Sequence, residues 1–437
     1  MPTTPYRRPH FPGGIARRGA LQPGRGHVAD EIMVILTLIV MPIDLPAMQV
    51  IRAPFTILLF AYGAVHWRSL LPTIREGWAF FLLPAFCFLS ALWAAKTGPA
   101  VWHGALLGMT LGIAALIATR LDARQVAVAI LVSQGGLAVV SILNLSLTWV
   151  GDASGGYASL GVFGHKNVLG QRMLFLSVAA LTILLSPGYR QVWRLAALGL
   201  LPIGLFLIAR SMAATAMILL AGAIPLCLAL ALLWRPAGQV RGLRPALFWG
   251  GLALGTLGVL LVTNLAQVDV VGEGLALFGK DRSLTGRTDI WLAAQSVVAQ
   301  NPLLGVGAGN FWQADSYGAA RIAALFGRDA SAFYFHNTYY EILVHLGAVG
   351  LILAIWVYGK AVLLIGRNWW RTQSVADPFY IVMVVVILLR TLTESVLFEP
   401  FILDMLFFWV VAFSAIPFNA LFNEEAVAAT RQPFRKN

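Results

Sequence analysis

Four short segments hold much of the polar chemistry in an otherwise apolar chain of 437 residues. They are Gly161-Val-Phe-Gly-His165-Lys166-Asn167-Val-Leu-Gly170, Ala209-Arg210-Ser211, Leu284-Thr-Gly-Arg287-Thr-Asp-Ile-Trp291 and Phe335-His336-Asn337-Thr-Tyr339-Tyr340-Glu341. Arg210 lies between two apolar runs, so two readings stand: a snorkelling anchor, or a clamp whose planar donors match phosphate oxygens. Arg287 falls in the first turn of an expected helix, where the dipole disfavours a cation. Free backbone N–H groups beside that guanidinium would together form an anion site. His336 precedes Asn337, a suitable N-cap, and an imidazole at such a position suits proton transfer near neutral pH. Lys166, with His165 and Asn167, follows a glycine-rich approach that lets backbone and ammonium come close to an anionic ligand. Glu341 and His345 share one helical face four residues apart and read as a structural pair, with Glu341 a lesser candidate for orienting a substrate hydroxyl. Tyr339 and Tyr340 read most simply as interfacial aromatics, and Tyr340 also borders the substrate side of this segment. Gly305-Val-Gly-Ala-Gly309 looks like a nucleotide loop only superficially, because no strand precedes it. Arg390, Glu394 and Glu399 are secondary candidates that could pair with one another.

The elements that must carry these residues follow from composition. Hydrophobic residues make up 59% of the chain and charged residues 11%, and mean hydropathy is +0.78. A soluble surface of this size needs about a quarter charged residues. Apolar runs of about 20 residues recur, each long enough to cross the hydrocarbon core as a helix, and without the two-residue alternation of a barrel. The expected fold is an all-α polytopic membrane protein of about twelve spans, at roughly 31–48, 52–67, 77–95, 100–119, 125–150, 168–187, 192–209, 212–234, 245–265, 336–364, 377–396 and 400–421. The first two, split at Asp44–Arg52, could be one broken span.

The net charge of +12 is first a topology signal, since Lys and Arg collect in cytoplasmic loops. With both termini cytoplasmic, most Lys and Arg residues fall on the inner side, and the four chemical segments share the outer side. The expected organisation is a disordered basic tail over 1–30, spans 1–9 over 31–265, an outer loop subdomain over 266–335, spans 10–12 over 336–421 and a second tail over 422–437. Ser283 or Thr285 can cap a loop helix over about 287–300, with Ile290, Trp291, Ala294, Val297 and Val298 on one face and Asn301-Pro302 as its stop. Cys87 and Cys227 each sit in an apolar run, so neither a disulfide nor a metal site is expected. No second-half repeat of the first half appears, which argues against a transporter built on paired halves.

Three pieces carry a resemblance to a known family: Gly164-His-Lys-Asn-Val-Leu-Gly170, Thr-Gly-Arg287-Thr-Asp-Ile-Trp followed by Asn301-Pro-Leu-Leu-Gly-Val-Gly307, and His336-Asn-Thr-Tyr-Tyr-Glu-Ile-Leu-Val-His-Leu-Gly347. Their order around one long outer loop resembles the O-antigen ligase and Wzy-type polymerase superfamily, which includes exopolysaccharide polymerases. The resemblance implies a metal-independent, cofactor-free glycosyltransferase of the bacterial inner membrane. It would act at the periplasmic face on undecaprenyl-pyrophosphate-linked glycan, with a glycan or lipid-linked acceptor, membrane lipid around it and no nucleic acid. It also implies that Arg210 and Arg287 hold the pyrophosphate and that His336 serves the acceptor hydroxyl, making these three the catalytic candidates. Lys166, His165, Asn167, Asn337, Tyr340 and Glu341 are the substrate-binding candidates. Polymerisation of repeat units is the leading expectation, ligation to lipid A-core the alternative, and a transporter or lipid flippase the alternative of another class.

Overall fold

The computed structural model describes residues 28–41, 46–143, 147–149, 157–251, 253, 287–313, 316–325, 334–372 and 378–416. Its helices are α1 (Val28–Val40), α2 (Pro46–Val65), α3 (Trp67–Glu76), α4 (Leu82–Leu89), α5 (Thr97–Arg120), α6 (Ala123–Leu143), α7 (Lys166–Leu185), α8 (Gln191–Ser211), α9 (Ala214–Leu228), α10 (Arg287–Gln300), α11 (Tyr317–Leu325), α12 (Thr338–Thr372), α13 (Pro378–Arg390) and α14 (Leu403–Ser414). A short antiparallel pair, Leu147–Trp149 with Tyr157–Ser159, departs from the all-helical expectation. It replaces the end of the fifth expected span, whose helix stops at Leu143.

The architecture is an all-α polytopic bundle. Six helices among the described residues are long and apolar enough to cross a membrane, and a seventh follows if one bent pair counts as a single span. That is fewer than the twelve expected. The other expected spans are shorter helices such as Pro378–Arg390 and Leu403–Ser414, or fall partly outside the described residues. The bent pair turns by 91° between Val65 and Trp67, so the expected connection after residue 67 is helical. α7 is apolar almost all round and buried on nearly every face, which makes it the central helix. α8 instead exposes Leu195, Leu198, Leu205 and Phe206, surface that only hydrocarbon accommodates over such an area.

Two local features differ from expectation. Asp30, assigned to the tail, lies inside α1 and is fully buried, because Arg120 at the end of α5 pairs with it at 2.8 Å and Tyr62 donates to the same carboxylate. A buried carboxylate persists only with such partners. The tenth expected span is also not one continuous helix. α12 breaks at Gly347, whose φ of 64° and ψ of −168° lie in a region open essentially to glycine alone. The segment 301–307 passes through the break. Val306 and Gly307 donate to the carbonyls of Val344 and His345, and Ala348 and Val349 donate to those of Pro302 and Leu303, at 2.9–3.1 Å. These bonds replace the helical ones lost at the kink, as an apolar surrounding requires. A Cβ on Gly305 would lie 2.6 Å from the Gly347 nitrogen, and one on Gly307 or Gly309 would press on Ala94 or the Pro99 carbonyl, so these glycines serve close packing of the chain rather than a nucleotide.

The tail 1–27, Ser283, Thr285 and the tail 422–437 lie outside the described residues. Within the expected outer loop, α10 begins at Arg287 and stops before Asn301-Pro302. Its Ile290 and Ala294 join Phe311, Ala319, Ile322, Phe335 and Val344 in a small core of its own. That core ties α10 and α11 to the start of α12.

Candidate active site

The starts of α5, α7, α12 and α14 and the ends of α8 and α13 meet at the end of the bundle opposite the Asp30–Arg120 pair. Asn337 Oδ1 accepts the N–H groups of Tyr339 and Tyr340 at 2.9 and 3.1 Å, capping α12. The cap is pinned to the segment after α13, because Asn337 Nδ2 donates to the Leu392 carbonyl at 3.0 Å and Thr338 Oγ1 to the Glu394 carbonyl at 2.9 Å. The chain enters this cap with His336 at φ +50°, in the left-handed region that few non-glycine residues adopt. Met212 and Phe401 are the other positive-φ non-glycines among the described residues, and both sit at this same end.

Glu394 joins two of the sequence candidates. Arg287 Nη2 donates to Glu394 Oε1 at 2.7 Å and its Nη1 donates to the Thr393 carbonyl at 2.5 Å. His336 Nδ1 lies 2.9 Å from Glu394 Oε2. Glu394 sits in the connection after α13, outside the apolar helices. Burial opposes its ionisation, but the His336 hydrogen bond and the Arg287 charge outweigh that and hold the carboxyl down at about 2. A carboxylate only accepts, so His336 donates from Nδ1, and in the neutral ring the lone pair is then on Nε2. Arg287 spends two of its five N–H donors on this anchor and keeps three. The misplaced cation at the start of α10 thus has a partner 107 residues away.

The remaining candidates divide. Glu341 is fully buried and receives Trp312 Nε1 at 2.8 Å, the Phe335 N–H at 2.9 Å and Ser395 Oγ at 2.9 Å, with His345 Nε2 at 3.3 Å. Those donors take up its acceptor capacity, in keeping with the structural pair read from sequence. Tyr340 stacks on Trp291 at 5.8 Å and accepts from Gln295. Trp291 Nε1 in turn donates to the Phe335 carbonyl at 2.7 Å, fixing the backbone just before His336. His165 caps α7, its Nδ1 accepting the Asn167 N–H at 3.2 Å, which places Lys166 in the first turn.

The helix that carries Lys166 packs on the turn that follows Arg210. A Cβ on Gly170 would fall 2.6 Å from that of Ala213, so the first turns of α7 lie directly on the turn that follows Arg210. Arg210 is half-buried and has no hydrogen bond or ion pair among the described residues. It does not touch the Arg287–Glu394–His336 group. Two further charged residues, Arg172 and Asp404, were not singled out from sequence: Arg390 Nε is 3.1 Å from Asp404 Oδ1, and Arg172 interacts electrostatically with both. Arg390 is therefore paired with Asp404, and Glu394 with Arg287 and His336, instead of with one another.

Residues 197–355 match the O-antigen ligase family. Over 350 residues the chain is 28% identical to the exopolysaccharide production protein ExoQ of Rhizobium meliloti (strain 1021), covering 78% of this chain and 77% of that one. Both findings support the resemblance to the O-antigen ligase and polymerase superfamily. The matched region holds Arg210, Arg287 and His336, and stops before Arg390, Glu394 and Asp404. The superfamily resemblance therefore led to one half of the charged network, and tertiary structure supplied the other. A lone Glu after an apolar run was the visible signal for Glu394, but nothing local to it names its partners.

Proposed function

We propose that this multi-pass membrane protein is a glycosyltransferase of the bacterial inner membrane that extends exopolysaccharide at the periplasmic face, using glycan carried on undecaprenyl pyrophosphate. The observation that carries the reading is Glu394, one carboxylate holding Arg287 on one oxygen and His336 on the other. His336 Nε2 takes the proton of the acceptor hydroxyl as its oxygen attacks the anomeric carbon. The bond from that carbon to the pyrophosphate oxygen breaks, inversion follows from in-line attack, and lipid pyrophosphate leaves. The spare donors of Arg287, with Arg210 and Lys166 across the mouth, meet the charge growing on the leaving group. On this reading guanidinium groups stabilise the leaving group, and no metal or cofactor is invoked. The distribution of Lys and Arg supports cytoplasmic termini and a periplasmic site.

The printed role of the R. meliloti relative, exopolysaccharide production, favours chain extension. The match to the O-antigen ligase family favours the second reading, transfer to lipid A-core. Purified protein in lipid nanodiscs, given lipid-linked repeat units with or without lipid A-core, distinguishes them by product length and by labelled core. Longer chains are expected, with His336→Ala and Arg287→Ala each losing turnover. Wild-type turnover in folded variants, or lipid translocation with no glycan transfer, would overturn the proposal.

A further inference from the structure

At the end of the bundle away from the candidate site, four aromatic side chains close on one another. α9 does not stop at Leu228 but widens into a π-helical turn over Ala229–Trp234. The ring of Trp234 stacks there on Trp369 of α12, with centroids 4.8 Å apart and planes at 16°. Trp370 meets the edge of Trp234 at 5.8 Å, and Phe248, in the helical stretch 243–251, meets Trp370 at 6.0 Å. Arg244 fixes the stack, with its guanidinium over Trp234 at 5.7 Å and its Nε donating to the Trp234 carbonyl at 2.9 Å. The stack is not sealed: Trp370 remains 39% exposed and Leu233, next to Trp234 in the chain, 59%.

α12 brings two cations to this stack. Arg367 and Arg371 lie four residues apart and share a helical face, and Trp370, three residues after Arg367, falls on the same side. Both arginines are exposed, and neither has a hydrogen bond or ion pair among the described residues. Like charges at this spacing repel one another unless an anion lies between them. At about 1.5 Å per residue the stretch from Thr338 to Arg367 measures roughly 40 Å, the thickness of a bilayer with both its headgroup layers. Because α12 starts at the candidate site, Arg367 and Arg371 reach the headgroups of the opposite leaflet. Guanidinium groups match phosphate oxygens, and indole rings suit the boundary between headgroup and acyl chain.

We propose that this corner binds one anionic phospholipid, its phosphate held by Arg367 and Arg371 and its glycerol and first methylenes lying along Trp370 and Leu233. A soluble anion would use the arginines alone, whereas here cations and exposed apolar surface adjoin at headgroup depth. Arginines that merely orient a membrane protein act through diffuse charge, so any two exposed arginines at this end would serve equally. A built site depends on these two. The inference is independent of the function proposed above.

The test titrates the delipidated full chain in maltoside micelles with phosphatidylglycerol or with phosphatidylcholine of the same acyl chains, reading bound lipid and Kd by native mass spectrometry. One phosphatidylglycerol per chain should bind about 25-fold more tightly than phosphatidylcholine, about fivefold for each arginine. Arg367→Gln/Arg371→Gln should abolish the preference, and Arg367→Lys/Arg371→Lys should keep most of it, because phosphate accepts hydrogen bonds from either cation. Arg68→Gln/Arg75→Gln removes the same charge from exposed positions on α3, at the same end of the bundle, and should leave the preference intact. The proposal is overturned if wild type shows no preference, if the Arg367/Arg371 glutamine variant keeps it, or if the Arg68/Arg75 variant loses it equally. Soluble glycerol 3-phosphate bound as tightly as the lipid would overturn it too.

Discussion

Replacing Glu394 by Gln keeps the volume of the side chain and removes only its charge and one acceptor. In the wild type, Oε1 receives Arg287 at 2.7 Å and Oε2 receives His336 at 2.9 Å. A carboxamide has one oxygen and one NH2 group, so it can satisfy only one of these donors. Arg287 is always cationic and 14% exposed, so the amide oxygen turns to it and the NH2 group faces His336. Nδ1 must then accept, and the proton moves to Nε2, where the lone pair for the acceptor hydroxyl was. Loss of a positioned general base costs about 10²–10⁴-fold in rate, while Arg287 keeps a hydrogen bond to the amide oxygen and loses only the opposite charge. The expected result is a kcat lower by about 10³-fold with donor KM changed far less. Turnover of lipid-linked repeat units in nanodiscs measures the rate, and ¹⁵N resonances of the His336 ring report the tautomer. A folded Glu394→Gln protein with kcat within about threefold of wild type, or with an unchanged ring tautomer, would refute the reasoning.

Three further outcomes follow from the same geometry. Arg210 has no partner among the described residues, so Arg210→Ala should raise donor KM while leaving the melting temperature within about 2 °C of wild type; a comparable loss of stability would show a structural anchor instead. Gly347→Ala puts a Cβ where the Leu303 backbone lies and forces a conformation nearly closed to alanine; thermal unfolding and proteolysis at 301–310 should reveal a loss of roughly 3 kcal/mol, and an unchanged profile would contradict the threaded break. The Glu394 carboxyl is depressed from 4.5 to about 2 in the folded chain, so its contribution to stability is complete above pH 4.5 and is lost as pH falls towards 2. The acid limb of a melting-temperature profile should flatten in Glu394→Gln, and an identical limb would exclude the linkage.

The sequence alone determined the class of the molecule and half of its candidate site. Composition and run length forced helices in a membrane, because neither irregular backbone nor a sparsely charged surface survives otherwise. The period of α10 and its Asn301-Pro302 stop were legible because capping and amphipathicity act within one or two turns. Asn337 was legible as a cap for the same reason. Tertiary structure alone decided the partners. Glu394 lies 58 residues from His336 and 107 from Arg287, and Asp404 takes Arg390 away from the neighbours that spacing suggested. The break at Gly347 was hidden too, since a continuous apolar run reads as one helix until another segment supplies the missing hydrogen bonds. Local sequence fixes which backbone a segment prefers and which side chains it can offer. A buried charge settles wherever packing brings an opposite charge within reach, and packing depends on elements that the local pattern does not contain.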